Sequence, residues 1–443
     1  MKRVRSDMGG DSIARDSAGP GGGRSRPRVV VVGGGFGGLA AARALRHAPL
    51  DVLLVDRTNH HLFQPLLYQV ATAALSAAEI ASPLRQVLQR QANATVVMAE
   101  AVGVEVEERR LLLRIDGEEL AAIDYDYLVL ATGVRHSYFG HPEHERFAPG
   151  LKTLEDATSV RSRILAVLER SEARAVLPPD RSPSALVLVG AGPTGVEMAG
   201  ALAELTRGTL AGEFRRIDPG SVGILLLEAG PRILPTFHED LASRARSRLE
   251  TMGVAVRLGA AVEAVDSRGV RVGGEWIEAA AVIWTAGVAA PSIAAWVGAE
   301  TDRAGRIRVG PDLSVPGRPE IFVIGDLAAH FQDGRTLPGV AQVALQGGRY
   351  VAKVIESRER ARRFPGPFRY RDMGNLAVVG RNFALFEWRR LRLAGWLPWI
   401  LWATLHLAQL ALFNNRLLVF AQWVWSYFTW QRGSRLIHWR SGS

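Results

Sequence analysis

The chain has 443 residues, enough for several domains, and its 48% apolar content excludes a wholly disordered protein. Its 54 Lys and Arg exceed its 44 Asp and Glu by ten charges, yet it has no basic and aromatic motif of a nucleic-acid binder, so we expect no nucleic-acid partner. It has no cysteine, which excludes disulfides, thiolate metal sites and every enzyme that relays electrons through a cysteine pair.

Residues 1–27 contain six Arg or Lys among Gly, Ser and Pro, with no apolar stretch. Such a composition cannot bury a core and lacks the apolar segment of a secretory signal. We therefore expect a disordered basic tail.

The stretch from Arg28 to Gly38 runs from a row of valines into a glycine-rich turn and then a helical pattern. Its Gly-x-Gly-x-x-Gly spacing predicts a dinucleotide-binding unit. The first glycine permits the tight turn, the second lets a pyrophosphate approach the backbone, and the third lets helix and strand pack closely. Asp56 ends the next apolar strand, 23 residues after the first glycine, where a carboxylate can accept hydrogen bonds from ribose hydroxyls. The three glycines are Gly33, Gly35 and Gly38.

The segment after Asp56 mixes aromatic, amide and small residues, which favours a loop and a helix packed near the cofactor. His60 and His61 are adjacent but have no third ligand nearby, so no metal site is predicted. Further on, an apolar strand enters the turn Thr132-Gly133. Such a turn either brings backbone close to a bound cofactor or simply ends a strand.

A second dinucleotide-binding unit follows, with the same spacing between an apolar strand and a helix. The next acidic strand end is Glu228, 38 residues after the first glycine, and an inserted segment over residues 205–221 accounts for the extra length. A carboxylate there favours NADH because it repels the 2′-phosphate of NADPH, whereas the nearby Arg232 favours the opposite. The glycines of this unit are Gly190, Gly192 and Gly195.

Two later strands also end in small-residue turns. The strand from Ala279 reaches a turn that contains Gly287, and a second strand ends at Asp326. Taken alone, Asp326 fits either a cofactor contact or an ordinary helix N-cap.

From residue 380 onward the composition changes to tryptophan, arginine and long apolar runs. Leu393 to Phe413 is free of formal charge, and Leu417 to Trp430 is a shorter apolar run. Tryptophan flanked by arginine is typical of a membrane interface. We favour two helices lying in the interface, while one spanning helix and a buried helix pair remain alternatives. Eight of the eleven tryptophans lie here, namely Trp388, Trp396, Trp399, Trp402, Trp423, Trp425, Trp430 and Trp439.

Two glycine units with ATG after the first and GD before a late helix resemble the flavoproteins with two dinucleotide-binding domains. The segments HHLFQPLLYQVAT, GPTGVEMAGALAEL, LEAGPRILP, WTAGV and AQVALQGG, with the Trp-rich end, resemble type II NADH dehydrogenase, the single-subunit NADH:quinone oxidoreductase. The likeness runs from about Arg28 to Trp439. That family often has a glycine where this chain has Ala73.

The resemblance implies an α/β fold with two Rossmann-like domains and a C-terminal amphipathic helical region that anchors the protein to a membrane. It implies FAD on residues 28–152 and 289–364, NADH on residues 153–288, and membrane association through residues 365–443. It places FAD against Asp326 and against Thr132, Gly133, Ala341 and Gln342, and NADH against the second glycine unit, Glu228 and Gly287.

The resemblance also implies catalytic roles near the quinone for Glu197, Gln342 and Gln346, with Ala344 beside them. On the residues alone, the glutamines also fit exposed positions of a helix, and Glu197 fits a first-turn acid favoured by the helix dipole. The implied reaction passes hydride from NADH to flavin N5 and then two electrons to a membrane quinone, without proton pumping.

Two rival functions remain open at this stage: a soluble NAD(P)H reductase of a small electron-transfer protein, and a membrane-associated NADH-binding flavoprotein with a signalling role. Arginines beside the apolar runs predict a peripheral, monotopic protein on the cytoplasmic side of the cell inner membrane. The sequence leaves the identity of the quinone and a homodimer open.

Overall fold

The computed structural model describes residues 26–117, 119–177 and 185–438. All but the last two residues of the predicted basic tail lie outside the described residues, as do Trp439 and most of the predicted linker from Leu177 to Ser184.

The first domain is built on a six-stranded sheet whose central strand, Arg28–Val32, pairs in parallel with a strand on each side. The valines of this strand are almost fully buried, as expected for a parallel strand covered on both faces. Two strands come from much later in the chain, so the first sheet is completed only after the second domain. The strand order is Ser314–Val315, Arg318–Val323, Tyr127–Leu130, Arg28–Val32, Asp51–Asp56 and Ala94–Met98.

Two helices, Phe36–Ala44 and Ala341–Glu359, pack closely against each other beside this sheet. A Cβ at Gly348 would lie 2.2 Å from the Gly37 carbonyl oxygen, so only glycine allows this approach. The domain also carries an antiparallel sheet of strands Glu100–Glu105, Arg110–Ile115 and Glu119–Asp124.

The second domain repeats the plan with a four-stranded parallel sheet, ordered Val254–Arg257, Ile224–Leu227, Leu186–Val189 and Ala281–Trp284. Its helices are Leu154–Val176, Pro193–Glu204 and Glu239–Thr251, and strands Val262–Asp266, Gly269–Val272 and Glu275–Glu278 form an antiparallel sheet. Between the domains, the outgoing strand Arg135–His136 pairs antiparallel with the returning strand Val288–Ala289.

Short elements complete the two domains. They are the helices Leu67–Ala71, Ala77–Ile80 and Leu84–Leu88, and the paired strands His60–Leu62 with Ala81–Pro83, Ile307–Arg308 with Ala328–Ala329, and Phe331–Gln332 with Arg335–Thr336.

The C-terminal region begins with an antiparallel sheet that the sequence does not predict, made of strands Asn375–Val378, Ala384–Trp388 and Leu391–Gly395. The charge-free run that starts at Leu393 therefore does not begin as a helix: Leu393 pairs with Phe386, and the helix starts only after Gly395, whose φ is +117°. Two helices follow, Trp396–Gln409 and Phe413–Thr429, which we call the C-terminal helix pair.

The C-terminal helix pair exposes many large apolar side chains. Within the parts of the chain that the structure describes, no helix has both the length and the apolar character required to cross a bilayer. We call the exposed set the apolar face; it comprises Trp396, Leu397, Ile400, Leu405, Phe413, Leu417, Leu418, Phe420, Val424, Trp425, Tyr427 and Phe428.

Candidate functional site

The first glycine loop, Gly33 to Gly38, lies at the carboxyl end of the central strand and opens the helix Phe36–Ala44. A Cβ at Gly38 would lie 1.8 Å from the Gly33 carbonyl oxygen, whereas a Cβ at Gly35 would meet no atom within 4 Å. Packing therefore requires Gly38, while Gly35 faces open space where a phosphate can approach. The Asp56 carboxylate accepts a hydrogen bond of 2.6 Å from the Gly34 N–H and fixes the loop.

A cavity of about 840 Å³, which we call the glycine-loop cavity, extends from this loop. The hydroxyl of Thr132 borders it, and this buried Oγ1 has no hydrogen-bond partner among the described residues. Lys152 and Asp326 also line it. Burial raises the pKa of Asp326 and lowers the pKa of Lys152. The attraction between their opposite charges counteracts both shifts. An extended ligand with phosphate and hydroxyl groups fits these donors and acceptors.

The second glycine loop, Gly190 to Gly195, repeats the geometry of the first. The Glu228 carboxylate accepts a hydrogen bond of 2.7 Å from the Ala191 N–H, as Asp56 does from Gly34. A Cβ at Gly195 would lie 1.9 Å from the Gly190 carbonyl oxygen. The sequence spacing differs between the two units, because the inserted segment is accommodated before the strand Ile224–Leu227, which Glu228 follows directly.

Two glycines of the second loop provide a matched pair of substitutions. We expect Gly195→Ala to destabilise the protein by about 1–3 kcal/mol, because its Cβ would collide with backbone. Gly192→Ala should leave stability unchanged, because its Cβ meets no atom within 4 Å, but raise the Kd for NADH by about tenfold. Thermal unfolding and NADH fluorescence titration measure the two effects. Equal stability losses in both variants would contradict this assignment.

The turns after the strands Tyr127–Leu130 and Ala281–Trp284 of the two domains also correspond. Gly133 and Gly287 both adopt positive φ, +68° and +67°, as the chain leaves each sheet. Gly133 lines the glycine-loop cavity, while the ring of Phe139 covers Gly287, where an added Cβ would lie 2.5 Å from the ring.

Glu197 lies on the helix that the second glycine loop opens, and it borders two cavities at once. Burial raises the pKa of Glu197 to about 8, although a hydrogen bond of 3.3 Å from the Val378 N–H to Oε1 acts in the opposite direction. Burial therefore favours the protonated form of this side chain, which can donate a proton.

The second cavity bordered by Glu197 has a volume of about 460 Å³ and mostly apolar walls; we call it the apolar cavity. The C-terminal helix pair provides much of its lining, including Trp402 and Trp423. Tyr68 borders both cavities, and burial raises its pKa well above the usual value, so its hydroxyl remains protonated. Gln69 donates to the Tyr68 hydroxyl at 3.1 Å and accepts from the indole N–H of Trp423 at 2.8 Å.

A cluster of three charged residues, Arg381, Glu204 and Arg432, lies at the wall of the apolar cavity. The buried Arg432 donates to the Glu204 carboxylate at 3.2 Å and to the Thr72 carbonyl at 3.0 Å. The backbone N–H of Arg381 donates to the other oxygen of Glu204. The Arg381 guanidinium lies 3.7 Å from the centre of the Trp430 ring, just after the last helix. The cluster thus connects the end of the C-terminal helix pair to the second domain.

The structure places the predicted glutamine stretch at the start of the helix Ala341–Glu359. Ala341 and Ala344 line the glycine-loop cavity, and Gln342 lies partly buried between them. Gln346 uses both ends of its amide on the backbone of Arg371, donating and accepting at 3.0 Å. Its amide is therefore engaged with a loop and not with either cavity.

Comparison with known proteins identifies the family. Residues 27–348 match the family described as pyridine nucleotide-disulphide oxidoreductase. The type II NADH:quinone oxidoreductase Ndh of Mycobacterium tuberculosis is 42% identical over 426 residues, covering 93% of this chain and 90% of that protein. The chain belongs to the type II NADH:quinone oxidoreductases. The type II NADH:quinone oxidoreductase of Staphylococcus haemolyticus is 28% identical over 81% of this chain and 89% of that protein.

Solved structures share the fold of this type II NADH:quinone oxidoreductase. NDH2 from Plasmodium falciparum, in complex with NADH, matches with a TM-score of 0.83 at 18% identity, covering 94% of this chain and 100% of that one. The sulfide:quinone oxidoreductase of Aquifex aeolicus matches with a TM-score of 0.67 at 18% identity, covering 91% and 95%. At these identities the likeness shows the fold alone. The absence of cysteine separates this type II enzyme from cysteine-dependent relatives of the same fold.

The roles of several residues of the type II site do not follow from the sequence, although some of these residues lie within the family's motifs. Tyr68 and Gln69 belong to the segment HHLFQPLLYQVAT, and an aromatic-amide pair in an otherwise apolar helix is the signal that could have identified them. Lys152, Glu204 and Arg432 carry no such local signal.

Ala73 adopts a φ of +60° and is fully buried, and this backbone conformation favours glycine. We expect Ala73→Gly to change stability by less than about 1 kcal/mol, because released backbone strain offsets the lost methyl group and the added chain entropy. Ala73→Val should cost about 3 kcal/mol, because a β-branched side chain is both strained and overpacked there. Urea denaturation of both variants measures the difference, and a stable Val variant would contradict the conformation.

Proposed function

We propose that this chain is an FAD-dependent NADH:quinone oxidoreductase that does not pump protons. The observation that carries the proposal is that Tyr68 and Glu197 border both the glycine-loop cavity and the apolar cavity. A polar dinucleotide cofactor and an apolar quinone would thus meet across a wall of two side chains.

The residues of the glycine-loop cavity suit FAD. The open space over Gly35 and the free end of the helix suit the pyrophosphate, and the unpartnered hydroxyl of Thr132 supplies a donor and an acceptor. Asp326 and Lys152 would bind hydroxyl and carbonyl groups of the same ligand. The chemistry that FAD supplies when bound is the acceptance of a hydride from NADH and the delivery of two electrons to the quinone.

Glu197 would provide a proton for quinone reduction. Its Oε1 is held by the Val378 N–H, so Oε2 can carry the proton at the border of the apolar cavity. The protonated hydroxyl of Tyr68 would orient the quinone head by donating a hydrogen bond. Gln342 remains a proposed headgroup contact, whereas Gln346 would act indirectly by fixing the loop at Arg371.

NADH would bind on the second glycine loop. The Glu228 carboxylate at the end of its strand would repel the 2′-phosphate of NADPH. Stopped-flow absorbance of the purified protein near ~450 nm tests the function. We expect bleaching by NADH but not by NADPH, followed by rapid recovery on addition of a short-chain quinone. Bleaching that only a small electron-transfer protein reverses, or no recovery at all, would overturn the proposal.

The apolar face would lie on the membrane and let the quinone enter the apolar cavity from the lipid. Its exposed side chains belong to the same two helices that line that cavity. The arginines at the flanks of these helices suit the cytoplasmic surface of a membrane. The cytoplasmic side of the inner membrane and a homodimer remain predictions, which protease protection in inverted vesicles and sedimentation of the solubilised protein would test.

Two exposed residues of the apolar face test this placement. Leu417 and Trp425 are each 59% exposed. We expect the double variant Leu417→Glu/Trp425→Glu to keep its thermal stability but to bind zwitterionic vesicles at least about 100-fold more weakly, because each side chain contributes about 1.5–3 kcal/mol on burial in lipid. The double variant Leu120→Glu/Phe331→Glu, which alters exposed apolar residues elsewhere, is the control and should bind vesicles normally.

A further inference from the structure

A third cavity, separate from the two described above, lies where the first domain meets the connection between the C-terminal helices. It is a groove of about 580 Å³, which we call the basic groove. One wall comes from the helix Phe36–Ala44 and the turn after it, and a second from the segment around Leu84–Leu88. Residues 412–414, at the start of the last helix, close the third side.

The charge of the basic groove is entirely positive. Arg43, Arg46 and Arg90 line it, its other polar lining residues are glutamines and Asn414, and none of the described lining residues is acidic. Arg46 donates to the Arg90 carbonyl at 3.1 Å, which holds two of the three arginines together. Among the residues that the structure describes, no lining side chain supplies a counter-charge.

A fourth arginine adds to this positive charge. The pKa of Arg43 is lowered, mainly by burial and secondly by the charge of Arg416. The guanidinium groups of Arg43 and Arg416 therefore lie close enough to repel each other. Arg416 donates to the Leu410 carbonyl, and within the described part of the chain it forms no ion pair with a carboxylate. An external anion would relieve the repulsion between these like charges.

The basic groove is continuous with the apolar face. Phe413 lines the groove, is 74% exposed and begins the helix that also carries Leu417 and Leu418. A ligand in the groove would therefore hold its anionic part among the arginines while any attached acyl chains extended along the apolar face. Charge and position together match a phospholipid and do not match a quinone, which has no charge.

We propose that the basic groove binds the phosphate headgroup of an anionic phospholipid and thereby fixes the orientation of the enzyme on the membrane. This inference rests on the proposed membrane contact of the apolar face. The occupant is a lipid headgroup and not free phosphate, because the groove ends at exposed apolar side chains that free phosphate would leave uncovered.

The test compares binding of the full-length holoenzyme to vesicles of phosphatidylcholine alone and to vesicles containing phosphatidylglycerol. The variant Arg43→Gln/Arg46→Gln/Arg90→Gln removes the groove charges, and Arg268→Gln/Arg303→Gln/Arg308→Gln removes the same charge outside the groove. Bound FAD and thermal stability establish that each variant is folded. Inorganic phosphate at millimolar concentration is added as a competitor in a parallel series.

We expect the wild type and the control variant to prefer anionic vesicles equally. The groove variant should lose about 10- to 100-fold of binding to anionic vesicles, because each arginine near the surface contributes about fivefold, while its binding to phosphatidylcholine is unchanged. A groove variant that retains the full anionic preference, equal losses in both triple variants, or displacement by millimolar phosphate would overturn the headgroup site. Failure of the wild type to bind either vesicle would instead overturn the membrane contact itself, and the headgroup site with it.

Discussion

Glu197→Gln should slow quinone reduction by about 100-fold while leaving NADH-dependent bleaching within about threefold of the wild type. The glutamine keeps the size of the side chain and can still accept the hydrogen bond from Val378. It cannot, however, supply a proton at the border of the apolar cavity. Stopped-flow measurement of the two half-reactions separates these effects.

The control for this experiment is Glu239→Gln, which changes an exposed glutamate on another helix of the second domain. It should leave both half-reactions unchanged. A Glu197 variant that reduces quinone at the wild-type rate would remove Glu197 from the proton path, and one that loses bleaching by NADH would assign it to nucleotide binding.

The pH dependence provides an independent readout. Because the pKa of Glu197 is raised from 4.5 to about 8, the acid is protonated below that value, and quinone reduction should fall as the pH rises above about 8. Tyr68, Glu204, Arg381 and Arg432 face the same cavity, and Tyr68 does not titrate in this range. The folded chain retains the proton between pH 4.5 and 8 and the unfolded chain does not, so stability also falls as the pH rises through that window. The Gln variant should lose both dependences.

Arg432→Met should destabilise the protein by about 3–5 kcal/mol, the second large effect that we expect. The substitution preserves much of the apolar stem of the side chain but leaves the Glu204 carboxylate without its buried counter-charge. It also removes the donor to the Thr72 carbonyl. Urea denaturation followed by tryptophan fluorescence suits the measurement, because most tryptophans lie in the region that this arginine holds.

The matched control is Arg435→Met, three residues further along the chain, where the ion pair with Glu213 is partly exposed. It should cost less than about 1 kcal/mol, as surface ion pairs do. Adding Glu204→Gln to Arg432→Met should recover part of the loss, because no charged carboxylate is then left without Arg432. An Arg432 variant as stable as the Arg435 variant would show that the cluster does not hold the C-terminal region.

The glycine loops could be predicted from sequence because their determinants are local. Gly38 and Gly195 must be glycine because a Cβ at either position would collide with the carbonyl oxygen of the glycine five residues earlier. The spacing of these glycines in the sequence therefore predicts the turn. The acid at the end of the next strand follows the same logic, and the structure adds that Asp56 and Glu228 bind the loop backbone.

The apolar cavity could not be predicted because its walls come from distant parts of the chain. Gln69 and Trp423 bond across 354 residues, and Arg432 meets Glu204 across 228. Gln346 adds a second case: its place in a motif predicts a ligand contact, whereas the hydrogen bonds of its amide with the Arg371 backbone depend on the fold. The strand Leu391–Gly395 could not be distinguished in the sequence, because its apolar residues continue without a break into the helix that follows.

The divided first sheet has a consequence for how the protein is made on the ribosome. The strand Tyr127–Leu130 receives its outer neighbour, Arg318–Val323, from 193 residues later, as the pairing of Leu128 with Ile321 shows. The intervening second domain, with its four adjacent parallel strands, can complete its own sheet first. During synthesis the edge of the strand Tyr127–Leu130 therefore remains unpaired until Arg318–Val323 has been made. Unpaired strand edges promote aggregation, so correct folding requires that this edge does not contact other nascent chains.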